Sequence, residues 1–151
     1  MNDPQPTERE LDALKVLWQA QQAGSDGATV RQIAQAIDSA DDRRAYTTVL
    51  SLLQVMEHKG LVDHVRQGKA YVYRPLIERA KTFRQLAGGF LDRVFDGAVG
   101  EYLVHALGDR RLSAAELDEL EAMITRARDK QKTGKAAPRG SKRSDRPKGG
   151  A

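Results

Sequence analysis

Apolar residues recur at helical spacing over most of the chain and at every second position in one short stretch. Leu11, Leu14, Leu17 and Trp18 share one face of a first helix that runs to about Ala23. Thr7-Glu8-Arg9-Glu10 precedes them as a capping box, in which the Thr hydroxyl accepts from an early N–H and Glu10 reaches back to the cap. Gly24-Ser25-Asp26-Gly27 breaks the pattern. Thr29-Val30-Arg31-Gln32 repeats the capping chemistry, and Val30, Ile33, Ala34 and Ile37 form a stripe over a short second helix. Ser39 to Arg44 is polar and reads as a loop. Ala45 to Lys59 reads as a third helix. With residues about 100° apart, Tyr46, Val49, Leu52, Leu53 and Met56 share its core face. Thr47, Ser51, Gln54 and His58 lie opposite, flanked by Thr48, Leu50 and Val55, and Gly60 is placed to end the helix in a left-handed conformation.

The period then falls to two. Leu61 to Arg66 and Ala70 to Arg74 flank Gln67-Gly68-Lys69, which predicts a hairpin with Gly in its turn, and Pro75 ends the second strand. From about Ile77 the helical period returns. Phe83, Leu86, Phe90, Leu91, Val94 and Phe95 form one stripe up to Asp96-Gly97, and Val99, Tyr102, Leu103 and Leu107 form another up to Gly108-Asp109. Ser113-Ala114-Ala115-Glu116 is a third capping box, opening a helix with Leu117, Leu120, Met123 and Ile124 inward. Three short helices with such wide apolar faces cover one another poorly in a monomer, which predicts a homodimer joined through these stripes. Gly88-Gly89 inside the fourth helix costs about 2 kcal/mol relative to two Ala, which points to a close helix contact or a hinge.

Three helices followed by a two-stranded hairpin is the order of a winged helix-turn-helix. The expected fold is therefore mainly α with a small β-hairpin. A winged-helix domain would occupy 1–76, a short helical dimerisation domain 77–125, and a disordered basic tail 126–151. Trp18 and Tyr46 are expected in the core.

Charge sharpens this picture. The chain has 151 residues, a formal net charge of +4 and no Cys. Residues 126–151 hold ten Lys and Arg against Asp129 and Asp145, so they carry +8 and the rest carries −4. No large apolar residue follows Ile124, which is the composition of a segment that cannot bury enough surface to order itself. Within the remainder, Arg43 to Arg74 alone carries +4. The absence of Cys excludes a disulfide scaffold, a thiolate metal site and a Cys nucleophile. No apolar run is long enough to cross a membrane, and the N-terminus lacks the basic flank and apolar run of a signal peptide, so a cytoplasmic protein without membrane insertion is expected.

The third helix has the chemistry of a DNA-reading surface. Thr47, Thr48 and Ser51 present hydroxyls, and the Thr methyls suit the thymine 5-methyl group; Gln54 suits adenine N6 and N7. Arg43, Arg44, Arg66, Lys69 and Arg74 are placed to neutralise phosphates, which positions a protein without reading sequence. His58, His64 and His105 make a poor metal set without an obvious carboxylate, and no cofactor is expected. No G-x-S-x-G, H-E-x-x-H or P-loop occurs, so enzymatic activity is not expected. An architectural or protein-interaction module, with non-specific nucleic-acid binding through the tail, is the alternative reading.

The sequence also resembles the penicillinase repressors, the BlaI/MecI/CopY regulators, from about Pro6 to Ile124. The stretches that carry the resemblance are Leu11-Asp12-Ala13-Leu14-Lys15-Val16-Leu17-Trp18, Thr29-Val30-Arg31-Gln32-Ile33 and Ala45-Tyr46-Thr47-Thr48-Val49-Leu50. Lys59-Gly60-Leu61-Val62, Gly68 to Pro75 and Leu91-Asp92-Arg93-Val94-Phe95-Asp96-Gly97 complete them. The resemblance implies a homodimeric repressor on a palindromic double-stranded DNA operator with TACA/TGTA-like half-sites. It assigns base edges to Thr47, Thr48 and Ser51, and contacts around the wing to Arg66, Lys69 and Tyr71. Some members are inactivated when a membrane sensor-protease pathway cuts an Asn-Phe bond; His105-Ala106 stands there in this chain. The Cys-x-Cys metal site of the copper-responsive branch is absent, and Val55 replaces an Arg common in the family.

Overall fold

A computed structural model describes residues 5–39 and 42–136, with side chains through 133. The elements are α1 (Glu8–Gln22), β1 (Ala28–Thr29), α2 (Val30–Asp38), α3 (Arg43–His58), β2 (Val62–Gln67), β3 (Ala70–Pro75), α4 (Arg79–Phe95), α5 (Val99–Gly108) and α6 (Ala114–Ala136). The chain divides into two compact units between Val99 and Gly100, rather than at the expected boundary after residue 76, and α4 belongs to the first.

In the first unit, α1 starts where its capping box directs. The Thr7 N–H donates to Glu10 Oε1 at 2.8 Å, and the Glu10 N–H donates to Thr7 Oγ1 at 3.3 Å. The Thr29 and Gln32 box closes in the same way before α2. Leu14, Leu17, Ile33, Val49, Leu53, Met56, Leu61 and Val62 are fully buried between the helices and the sheet. Each such side chain contributes about 1.5–3 kcal/mol by leaving water. Trp18 joins this core and donates its indole N–H to the Ile77 carbonyl at 3.0 Å.

Two differences from expectation concern aromatics. Tyr46 is 40% exposed, not buried, because it sits a full turn ahead of Val49, the first fully covered position on that face of α3. Phe83, expected at a dimer interface, instead packs edge-on against Trp18 at 5.6 Å in the same chain, with the Arg79 guanidinium 4.6 Å over its ring.

The sheet has three strands, not two, in the antiparallel order β1-β3-β2. The hairpin pairs Val62 with Pro75 through Gln67 with Ala70, turning at Gly68 with φ +62°. On the other edge of β3, Ala28 and Thr29 pair with Tyr73 and Val72. Gly27 makes that possible: a Cβ there would lie 2.1 Å from the Tyr73 carbonyl oxygen, so only Gly allows the strand to approach.

α4 runs unbroken through Gly88-Gly89 and ends at Asp96 and Gly97, both left-handed. Among the described residues a Cβ built at Gly88 meets nothing within 4 Å and one at Gly89 meets the Gln5 side-chain nitrogen at 3.6 Å, an ordinary contact, so no tight packing within the first unit requires the pair.

In the second unit, α6 opens with the Ser113 and Glu116 capping box, the Glu116 N–H donating to Ser113 Oγ at 3.1 Å. It continues through Ala136, so residues 126–136 are helical where the sequence reading expected disorder. Arg, Lys, Gln and Ala are strong helix formers, and propensity extends the helix where burial does not. The remainder of the expected tail, 137–151, lies outside the described residues.

Candidate nucleic-acid interface

α3 is held by both ends. Asp42 caps its N-terminus by accepting from the Ala45 N–H at 2.7 Å, so Arg43 and Arg44 belong to the exposed first turn of the helix rather than to the preceding loop. At the other end Lys59, the C-cap, donates from Nζ to Glu10 Oε1 and Oε2 at 2.9 and 3.0 Å. Glu10 is 2% exposed. Burial pushes its carboxyl up, but the Thr7 N–H and the Lys59 ammonium outweigh this and hold it below the usual carboxylate range. This pair ties the end of the third helix to the start of the first. Gly60, with φ +80°, then turns the chain into β2.

Thr47, Thr48, Ser51 and Gln54 are all exposed on α3. Their spacing places them within one face about 120° wide, together with His58 and Val55. The two Thr hydroxyls are already committed as donors: Thr47 Oγ1 donates to the Arg43 carbonyl at 2.8 Å and Thr48 Oγ1 to the Arg44 carbonyl at 2.9 Å. Their free oxygen lone pairs and their methyls are what the face offers outward. Each Thr thus presents an acceptor and an apolar group in a locked rotamer.

The hairpin presents a basic rim. Arg66 donates from Nε to the Gly68 carbonyl at 3.2 Å and lies 6.0 Å from the Tyr71 ring. Lys69 and Tyr71 are exposed beside it. Arg74 is different. It binds Asp63, its cross-strand partner, through Nε at 2.5 Å and through a second nitrogen at 3.1 Å. That guanidinium holds the Asp63 carboxyl below its ordinary range. The charge expected to neutralise a phosphate is therefore matched within the wing, leaving Arg66 and Lys69 as its cations without an acid partner among the described residues.

Sequence reasoning found no carboxylate for the histidines, yet Glu57 Oε1 lies 2.6 Å from His64 Nδ1. One such pair does not make a metal centre, and no group of three or more candidate ligands occurs among the described residues. No described helix is long and apolar enough to cross a membrane.

Three helices, a three-stranded sheet and a basic hairpin beside an exposed hydroxyl face define a winged helix-turn-helix domain followed by further helices. Residues 6–126 match the family described as penicillinase repressor, and this chain belongs to that family, one of transcriptional repressors and not of enzymes. Over 129 residues it is 22% identical to the penicillinase repressor of Bacillus licheniformis, covering 85% of this chain and 96% of that one. Over 97 residues it is 36% identical to the transcriptional regulator BlaI of Mycobacterium tuberculosis in two strains, covering 64% of this chain and 68% of the relative.

Proposed function

We propose that this repressor works in the cytoplasm as a homodimer, binding a two-fold symmetric double-stranded operator with TACA/TGTA-like half-sites. The observation that carries the reading is the exposed face of α3, where Thr47, Thr48 and Ser51 stand without the Glu and Lys mixture of an ordinary solvated helix. Acceptors locked at Thr47 and Thr48 suit adenine N6 or cytosine N4 donors, and their methyls suit thymine. Gln54 adds an amide that suits adenine. Arg43, Arg44, Arg66, Lys69 and Tyr71 supply phosphate contacts that set orientation. Arg74 acts through Asp63, stiffening the wing rather than contacting DNA.

Dimerisation is supported by apolar side chains that stay exposed in each unit. Phe90, Val94 and Val99 are exposed in the first, and Tyr102, Leu103, Leu107, Leu117 and Ile124 in the second. Leu86, Leu91, Phe95 and Leu120 are half-buried and complete the set. Phe83 is set aside because it belongs to the Trp18 core. A sensor-protease pathway that cuts at His105-Ala106 would have to open α5, where both residues are helical.

Selection from random duplex DNA, with light scattering of the bound and free protein, tests the proposal. An enriched palindrome and a dimeric mass support it. Steep salt sensitivity without enrichment favours the architectural reading instead.

A further inference from the structure

His64 stands on β2 just after the chain leaves α3, and neighbours from two elements hold its ring. Its Nδ1 lies 2.6 Å from Glu57 Oε1 on α3. Tyr71 meets the ring edge-on at 5.2 Å, and Tyr73 lies against it at 5.2 Å with the planes tilted by 37°. Tyr73 is its cross-strand partner, and two residues further along the same strands Arg66 pairs with Tyr71. The side chains of His64 and Glu57 are each about one third exposed, at 35% and 33%. The bond therefore joins the recognition helix to the wing at the wet surface between them.

The titratable and charged groups around the ring come from three elements. Glu57 belongs to α3, Asp63 and Arg66 to β2, and Tyr71 and Tyr73 to β3, while Tyr46 of α3 acts on the Tyr73 phenol behind the ring. Asp63 is engaged by Arg74, so Glu57 is the acid bonded to the imidazole. Burial first, and Glu57 second, raise the Tyr73 phenol, so this tyrosine stays neutral. In the neutral ring the proton on Nδ1 serves Glu57 and Nε2 is an acceptor. A second proton goes to Nε2, making both nitrogens donors and turning the hydrogen bond into an ion pair.

We propose that His64 is a positioning residue for DNA binding: its bond to Glu57 sets the wing against α3, and protonation of the ring tightens that bond and adds positive charge beside Arg66. Operator affinity then rises as pH falls. The inference rests on the reading of α3 and the wing as the DNA-contacting surfaces.

Fluorescence anisotropy on the full chain, at constant ionic strength, tests it with the selected palindrome and a scrambled duplex. From about pH 8 to about pH 6 the wild type binds the palindrome about two- to fivefold more tightly, the size of effect a partly exposed ion pair gives. Its preference over the scrambled duplex rises in parallel. His64→Gln removes this dependence and Glu57→Gln reduces it, whereas His105→Gln in the second unit keeps it. Removing the Glu57 charge also tightens all DNA binding at every pH, so the slope and not the level is diagnostic. The two variants are read independently, so a folding defect in one leaves the other as the test. An unchanged slope in a folded variant, or a flat profile in the wild type, overturns the proposal. Failure of the wild type to prefer any sequence at any pH would instead refute the DNA reading on which it rests.

Discussion

Replacing Glu10 by Gln asks how firmly α3 is anchored. The buried carboxylate accepts from the Thr7 N–H at 2.8 Å and from Lys59 Nζ at 2.9 and 3.0 Å. Its pKa in the folded protein lies below its ordinary value of 4.5. A group lowered in this way contributes stability that is complete above the unfolded pKa and is lost as pH falls through the folded one. The window for Glu10 therefore opens near pH 4.5 and extends downward. Glu10→Gln keeps an acceptor for Thr7 but removes the charge facing Lys59. Because the Lys59 side chain is 36% exposed, water screens the pair, and the expected loss near neutral pH is about 1–2 kcal/mol rather than the 3–5 of a fully buried pair. Lys59→Met strands the carboxylate away from water and is expected to cost more, about 2–4 kcal/mol. Urea unfolding at about pH 7 and about pH 3 measures both, and subtracting the variant from the wild type cancels the other carboxylates. The gap between wild type and Glu10→Gln should shrink at the lower pH. A gap of equal size at both, or Lys59→Met as stable as the wild type, would refute the reasoning.

Gly27→Ala places a Cβ 2.1 Å from the Tyr73 carbonyl, a backbone atom that cannot swing aside. It should lose about 3 kcal/mol and lower Tm by more than about 10 °C in a circular dichroism melt; an unchanged Tm would contradict the strand approach. Gly88→Ala enters open space inside α4 and should stabilise the helix by about 0.5–1 kcal/mol. A loss in the same melt would place other atoms against that position, as a dimer would. Lys69→Ala, at the tip of the wing, should weaken binding to operator and scrambled DNA alike and reduce the salt slope by about one unit; a loss confined to the operator would assign it a base contact.

What was legible in the sequence was local. Capping boxes act over three residues, and Thr7, Thr29 and Ser113 all open the helices they mark. Gly60 and Gly68 take the left-handed conformations that their turns require. The core stripe of α3 was legible from Val49 to Met56 but not at Tyr46, because periodicity names a face without saying how far along it the neighbouring helices reach. Contacts between distant segments were hidden. Glu10 reads as a cap until the fold brings Lys59 to it from 49 residues away. β1 is two residues long, carries no period of its own and exists because Gly27 lets the chain approach β3.

Some of the missed features did leave a signal. Pairing the hairpin about Gly68 puts Asp63 opposite Arg74, so the ion pair that engages Arg74 follows from register and opposite charge. Asp42 is a good N-cap even without an acid or amide three residues on, and it would have moved Arg43 and Arg44 into the helix. The hydroxyl face of α3 was visible as residue types. That Thr47 and Thr48 donate inward and present acceptors outward required the rotamers.

The most direct test of the central claim compares the wild type with Thr47→Ala and Thr48→Ala on the selected palindrome and on a scrambled duplex at one salt concentration. If the outward face of α3 reads sequence, each variant loses about 1–3 kcal/mol on the palindrome and almost nothing on the scrambled duplex. Equal affinity of wild type and variants for the palindrome would contradict it.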